Sequence, residues 1–173
     1  TLNIRTWNAG WCCGNASSTN VDDVGFIDSL INWMRENYSI DQQRIYATGM
    51  SNGGYMAYRL ACERSNKIAA IAPVACAMSL PDCLPDRAVP IIQFHSYLDS
   101  NVRHDGGFGI GVSNHYSPPL DSIHMVWAAF NKCNPTASLE AQDNEYDFYH
   151  WSNCECDAEI KYYITQDGGH SWP

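Results

Sequence analysis

The chain has 173 residues, of which 45% are hydrophobic and 12% aromatic, and its formal net charge is −9. This length and composition predict one folded domain over residues 1–173 and exclude an intrinsically disordered chain. The acidic balance, with no Lys/Arg cluster, argues against nucleic acid and anionic membranes as partners, and no apolar run approaches the ~18 residues of a membrane span.

Cysteine usage indicates the compartment in which the chain folds. An even number of cysteines at high density is typical of disulfide-bonded proteins, so we expect an oxidising, extracellular location and a secreted protein. The eight cysteines are Cys12, Cys13, Cys62, Cys76, Cys83, Cys133, Cys154 and Cys156. No Cys-x-x-Cys occurs, and no His pair at helical ligand spacing lies beside a cysteine, so no zinc site is expected.

Two pairings can be discussed from the sequence. A bridge between neighbouring cysteines is strained, so we expect Cys12 and Cys13 to bond to different partners. Cys133 follows the end of a predicted helix, and Cys154 leads into the predicted last strand. We therefore expect a disulfide from Cys133 to the Cys154/Cys156 pair, with Cys154 preferred, which would tie the intervening insert to the domain.

The N-terminal part alternates between loop and helix. Residues 2–7 predict a short strand or an extended arm, and residues 8–19 a loop in which Trp11 either walls a substrate cleft or covers the core. Helical spacing of apolar residues predicts a helix from Val21 to about Asn37, with Asn20 as the candidate N-cap.

The next segment contains a Gly-x-Ser-x-Gly motif centred on Ser51. A short buried strand is predicted over Arg44–Thr48 before it, and a helix over Tyr55–Cys62 after it. Strand, tight turn and helix are the context of a nucleophile elbow, and the small residues Gly49 and Gly53 allow the sharp turn. The Ser51 oxygen is then expected at the helix N-terminus, near backbone N–H groups that can stabilise an oxyanion.

Strands and helices alternate in the rest of the chain. Apolar runs predict strands over residues 68–74, 89–95 and 159–165, a helix over residues 120–131, and an irregular or hairpin-like insert over residues 132–151. A long loop, residues 96–119, is of the kind that usually carries function. The pattern predicts an α/β fold with a mainly parallel sheet.

Serine acyl transfer needs a base for the nucleophile and an acid to orient that base. The order Ser, Asp, His of α/β-hydrolases is met by Ser51, Asp99 and His170, each following a predicted strand. All three are therefore expected at the edge of the sheet where open α/β folds place their sites.

Other residues compete for these roles. His95 is expected to be a packed structural histidine, whereas one of the histidines in or near the long loop could contact substrate. Those are His104, His115 and His124. Asp105 and Asp121 are alternatives to Asp99, and Asp167 is expected to be too close in sequence to His170 to serve it.

Several motifs together resemble those of polyhydroxybutyrate-depolymerase-type esterases, a family that includes bacterial feruloyl and acetylxylan esterases. The resemblance runs nearly end to end. It is carried by Trp7–Gly10, Cys12–Gly14, Val21–Ile27, Ile40–Tyr46, Gly49–Gly54, Ile68–Val74 and Gly168–Pro173.

The resemblance implies an α/β-hydrolase-type, mainly parallel sheet with helices on both faces. It also implies Ser51 as nucleophile, Asp99 as acid, His170 as base and the backbone N–H of Asn52 as an oxyanion donor. We expect a secreted serine carboxylic-ester hydrolase with no metal or organic cofactor. Its expected substrates are hydroxycinnamoyl or acetyl esters of plant polysaccharide, or short polyhydroxyalkanoates.

Two other functions stay open from the sequence. The chain could be a non-catalytic carbohydrate-binding module on a hydrolase scaffold, with exposed aromatic residues lining a sugar-binding face. Trp11 and Trp172 are the expected substrate-binding residues, with Trp151 as a further candidate. A thiol-redox or metal protein built on the cysteines is the third possibility.

The resemblance also shows two departures. The family usually has His-Gly before its acid loop, where this chain has His95-Ser96. Family members also carry several strands before the segment that matches Trp7–Gly10, and one of their loops supplies a second oxyanion donor. We therefore expect a hydrolase sheet that lacks the family's first strands, with residues missing before Thr1 or another segment or chain in their place.

Overall fold

The computed structural model describes residues 4–80, 82–110 and 115–173. Residues 2 and 3 of the predicted arm and residues 111–114 of the predicted long loop lie outside these ranges. Helices and strands follow in the order α1 (Gly14–Ser18), α2 (Asp23–Asn37), β1 (Tyr46–Met50), α3 (Asn52–Glu63), β2 (Ala70–Val74), β3 (Ile91–Ser96), β4 (Gly107–Phe108), β5 (Tyr116–Ser117), α4 (Leu120–Phe130), β6 (Ser138–Gln142), β7 (Tyr146–Trp151) and β8 (Ile160–Thr165). In these ranges no helix combines the length and the apolar character needed to cross a bilayer.

Six strands form the main sheet, in the order β1-β2-β3-β8-β7-β6. The first four are parallel to one another, and the β6–β7 hairpin joins β8 in the antiparallel sense. The expected α/β fold with a mainly parallel sheet is confirmed. Because β1 pairs only with β2 among the described strands, the strand that leads to Ser51 lies at an edge of the sheet.

Two helices pack over the sheet and meet each other. Helix α3 lies against β1 and β2, and α4 lies against β8. They meet at Tyr58 and Trp127, whose rings are 6.1 Å apart and fully buried. The rings of Phe94, Phe148 and Tyr163 stack on one another over half-exposed positions of the sheet. Tyr58 and Trp127 therefore mark the place where α3 and α4 pack against each other.

A buried asparagine fastens the end of α4 to the starts of two strands. The Asn131 side chain donates to the carbonyls of Val89, at 2.8 Å, and Ala158, at 2.7 Å, and it accepts from the Val89 N–H at 3.0 Å. Every polar atom of this buried amide thus has a partner, which offsets the cost of its burial.

The start of α2 differs from the expectation. Asp22 is the N-cap, because its Oδ1 accepts from the Gly25 N–H at 2.9 Å. The prediction of Asn20 as the cap was wrong: its side-chain oxygen accepts from the Asn8 side chain instead, at 3.3 Å.

The elbow strand lies two residues later than predicted, because Tyr46–Met50 is the stretch that pairs in register with Ala70–Val74. The short elements α1, β4 and β5 carry too few residues to show a period.

Three disulfides join six of the cysteines: Cys12–Cys13, Cys62–Cys83 and Cys133–Cys154. The expected bond from Cys133 to Cys154 is confirmed. The expectation that Cys12 and Cys13 bond to different partners was wrong. Of the two remaining thiols, Cys76 is buried in the core and Cys156 is exposed at the surface.

The Cys133–Cys154 bond closes a segment with a sequence separation of 21. Replacing both cysteines with serine is expected to lower the free energy of unfolding by about 3 kcal/mol, because the open chain gains conformational entropy when unfolded. Urea unfolding of the double variant measures this. Cys156→Ser is the matched control, and a double variant as stable as that control contradicts the prediction.

Candidate active site

Ser51 stands on a sharp turn between β1 and α3. Its backbone has φ 52° and ψ −121°, a conformation that side-chain-bearing residues rarely adopt. The turn is held from both sides: the Ser51 N–H donates to the Val74 carbonyl at 2.9 Å, and the Ser51 carbonyl accepts from the N–H groups of Gly54 and Tyr55 at 2.9 and 3.0 Å. This is the geometry of a nucleophile elbow.

The glycines around Ser51 differ in how closely other atoms approach them. A Cβ on Gly49 would lie 2.6 Å from the backbone carbonyl carbon of Gly53, and a Cβ on Gly54 would collide with the sulfur of Cys76. By contrast, a Cβ on Gly53 would meet nothing within 4 Å. Of the two glycines in the motif, Gly49 is therefore the one that the close approach of strand and helix requires.

Asp99 and His170 are hydrogen-bonded to each other. His170 Nδ1 lies 2.9 Å from Asp99 Oδ2, although 71 residues separate them in the sequence. Asp99 follows β3 and His170 follows β8, and these strands are parallel neighbours, so their following loops meet at one edge of the sheet. The ring therefore donates from Nδ1, which leaves Nε2 as an acceptor.

Asp99 is buried and supported as a carboxylate. Its side chain is fully buried, and its Oδ1 accepts from the N–H groups of Asn101 and Val102 at 2.9 and 2.8 Å. Burial raises the pKa of Asp99, but the hydrogen bonds from His170 and Val102 outweigh it, and the net pKa is lowered. The carboxylate is thus charged at neutral pH and orients the imidazole.

Ser51 and His170 line the same cavity, whose volume is about 230 Å³. Within the described residues no hydrogen bond joins Ser51 Oγ to the ring. Contacts of this kind often tighten only when substrate binds. The other lining residues are Ile4, Arg5, Thr6, Cys12, Cys13, Asn52, Tyr55, Asn101, Val102, His115 and Ser117.

Asn52 connects the elbow to the extended arm over the cavity. Its Nδ2 donates to the Trp7 carbonyl at 2.9 Å, and its Oδ1 accepts from the Trp7 N–H at 2.6 Å. Residues 4–6 of the arm are thereby held against the cavity that they line. Asn52 is also the first residue of α3, where a backbone N–H has no acceptor in a preceding turn and can face a ligand.

One of the three loop histidines that could contact substrate does face the cavity. His115 lines it, with Nε2 2.6 Å from Ser79 Oγ and the ring edge-on to Tyr55 at 6.0 Å. His104 packs against Tyr97 at 4.9 Å instead. His124 is fully buried in the core, where burial lowers its pKa to about 3. Sequence reasoning could not separate these three histidines.

The other competing residues have structural partners. His95 is buried and its Nε2 donates to the Val102 carbonyl at 2.8 Å, as expected for a packed histidine. Asp105 forms an exposed ion pair with Arg103, at 2.9 and 2.6 Å. Asp121 lies in the first turn of α4.

The two tryptophans that were expected to bind substrate lie outside the residues that line the cavity. Trp11 is 69% exposed in its loop, and Trp172 is 57% exposed. Trp172 lines a separate depression together with Ser96 and Gly168. Cavity-lining residues that the sequence did not single out include Tyr55 and Ser117, whose hydroxyls are 2.7 Å apart.

The chain is similar to several known proteins. Feruloyl esterase B of Piromyces equi is 29% identical over 182 residues, which cover 96% of this chain and 31% of that protein. Feruloyl esterase C of Emericella nidulans is 29% identical over 150 residues, which cover 81% of this chain and 54% of that protein. The chain thus spans about a third to about half the length of these relatives.

Two further comparisons bear on the fold. A family model described as the prolyl oligopeptidase family matches residues 15–81, the part that contains the elbow. The solved structure of an acetyl xylan esterase from Aspergillus awamori matches with a TM-score of 0.60 at 14% identity, over 97% of this chain and 67% of that one. At this identity the structural match shows the α/β-hydrolase-type fold.

Gly49 and Gly53 differ in the room that they leave for a side chain, so alanine substitutions at the two positions form a paired test of the turn. Gly49→Ala is expected to destabilise the chain by about 1–3 kcal/mol, because its new methyl group would press on the Gly53 backbone. Gly53→Ala is the matched control and should be neutral or slightly stabilising, since alanine is the better helix former. Thermal unfolding of both variants measures the difference, and equal stability of the two would contradict the described turn.

Proposed function

We propose that this chain, an α/β-hydrolase of the feruloyl esterase type, is a serine carboxylic-ester hydrolase. It is proposed to act through an acyl-enzyme. The observation that carries the proposal is the 2.9 Å bond between His170 and the buried Asp99, at a cavity that Ser51 also lines. The strained backbone of Ser51 supports the role of nucleophile, because such strain collects at functional positions.

In the first half of the proposed reaction, His170 Nε2 takes the proton from Ser51 Oγ, which attacks the ester carbonyl carbon. Asp99 holds the ring with Nδ1 protonated and stabilises the positive charge that the ring gains. The backbone N–H of Asn52 donates to the oxyanion of the tetrahedral intermediate. When the intermediate collapses, the carbon–oxygen bond to the alcohol breaks, and the alcohol leaves with the proton from His170.

The second half repeats the chemistry with water. His170 removes a proton from a water molecule, whose oxygen attacks the acyl-enzyme carbonyl. The bond to Ser51 Oγ breaks, the acid is released, and His170 returns the proton to Ser51. The cycle uses only these side chains, the oxyanion donor and water.

Hydroxycinnamoyl or acetyl esters of plant polysaccharide are the proposed substrates, with short polyhydroxyalkanoates as a further class. Relatives described as feruloyl esterases and a structural neighbour described as an acetyl xylan esterase support this choice. The cavity suits an acyl group, because Tyr55, Val102 and His115 line it. Trp11 and Trp172, exposed outside the cavity, are proposed to contact the polysaccharide, and the disulfides support secretion.

Ser51→Ala is expected to lower kcat for p-nitrophenyl acetate by about 10⁴-fold or more, because the variant has no nucleophile. Its circular dichroism spectrum should match that of the wild type, since the Ser51 backbone makes the bonds that hold the turn. Ser138→Ala, at an exposed strand position, is the control. A Ser51→Ala variant whose kcat lies within about tenfold of the wild-type value would contradict the proposal.

A further inference from the structure

Ser96 lies between the two loops that carry the candidate acid, Asp99, and the candidate base, His170. It is the last residue of β3, opposite Thr165 at the end of β8, and it is 3% exposed. Asp99 comes shortly after Ser96 in the chain, and the loop that carries His170 follows the neighbouring strand, β8. A side chain at this position therefore stands between the segment that holds the acid and the segment that holds the base.

The Ser96 hydroxyl bonds to both segments. Its Oγ accepts from the N–H of Leu98 at 3.1 Å and from the N–H of Gly169 at 3.2 Å, and it donates to the carbonyl of Asp167. Leu98 immediately precedes Asp99, and Gly169 immediately precedes His170. One oxygen atom thus joins the residue before the acid to the residue before the base.

The two segments are also in close contact at this point. A Cβ on Gly169 would lie 3.6 Å from the Leu98 carbonyl oxygen, and the Gly169 backbone has φ +59°, which favours glycine. Removing the hydroxyl would leave the N–H groups of Leu98 and Gly169 without this acceptor. Because glycine has no such oxygen, it cannot supply the link.

We propose that Ser96 is a positioning residue whose hydroxyl sets the distance and orientation between Asp99 and His170. It touches no reacting atom; it acts through the acid–base pair. This inference rests on the proposed function, in which Asp99 orients His170 as the base for Ser51. Catalysis depends steeply on this geometry, and a misplacement of ~1 Å can cost on the order of 100-fold in rate.

The first test compares substitutions at position 96 in the full chain. Ser96→Ala is expected to lower kcat for p-nitrophenyl acetate by about 10- to 100-fold, with KM within about twofold because the cavity lining is unchanged. Ser96→Gly should do the same and is the second variant if alanine folds poorly. Ser96→Thr keeps the oxygen and should restore most of kcat.

Thr165→Val is the matched control. The Thr165 hydroxyl lies 2.9 Å from the Asp167 carbonyl that Ser96 also contacts and 3.3 Å from the His95 carbonyl, but it bonds to neither Leu98 nor Gly169. The variant therefore removes a bond at the same strand ends without breaking the link between the two segments. Its kcat should stay within about twofold of wild type, and a loss equal to that of Ser96→Ala would overturn the proposal.

A double-mutant cycle with Asp99→Asn separates positioning from a general structural role. If Ser96 acts through the Asp99–His170 pair, then Ser96→Ala should lower kcat by less than about threefold once Asp99 is already replaced. Additive losses, or a Ser96→Ala variant as active as wild type, would overturn the inference while leaving the esterase proposal intact. A wild-type chain that hydrolyses no ester would overturn both.

Discussion

The pairing of β3 with β8 is the constraint on which the candidate site depends. These strands run in parallel register from Ile91 opposite Ile160 to Ser96 opposite Thr165. Their ends therefore coincide, and the loops that carry Asp99 and His170 begin side by side. A slip of one residue would move one loop by about 3.3 Å and turn its side chains to the other face, which would break the 2.9 Å bond between Asp99 and His170.

A buried polar network joins this strand pair to α3, the helix that follows Ser51. Gln93, on β3, accepts from the Tyr58 hydroxyl of α3 at 2.5 Å and from His124 of α4 at 2.9 Å, and it donates to the Cys76 carbonyl at 2.8 Å. The lowered pKa of His124 keeps its ring neutral in the core. Because paired groups in a low-dielectric interior hold their geometry tightly, the network fixes α3, and with it Ser51, relative to β3.

The parts of the molecule that the sequence predicts well are those with a local physical cause. Alternating or continuous apolar residues predict the strands, and the strand–Gly-x-Ser-x-Gly–helix pattern predicts the elbow that Ser51 forms. The closeness of Asp99 and His170 follows from the same logic, because residues that follow neighbouring parallel strands lie at one edge of the sheet. The structure brings Asp99 and His170 together as this reasoning requires.

What the sequence does not predict depends on contacts between distant residues or on choices between similar neighbours. Asp22 rather than Asn20 caps α2, and either side chain could do so chemically. The bond between Ser96 and Gly169 spans 73 residues and leaves no local pattern. The cavity-lining role of His115 and the core position of His124 likewise follow only from the folded chain.

The central claim is that Ser51 is a nucleophile activated by His170 and Asp99. A fluorophosphonate probe tests it most directly, because the probe forms a bond only with an activated serine oxygen and needs no knowledge of the ester substrate. We expect stoichiometric labelling in the intact mass of the wild-type chain, located on Ser51 by peptide mapping and absent from Ser51→Ala. An unlabelled wild-type chain, or a label on another residue, would contradict the account and favour a binding module on a hydrolase scaffold.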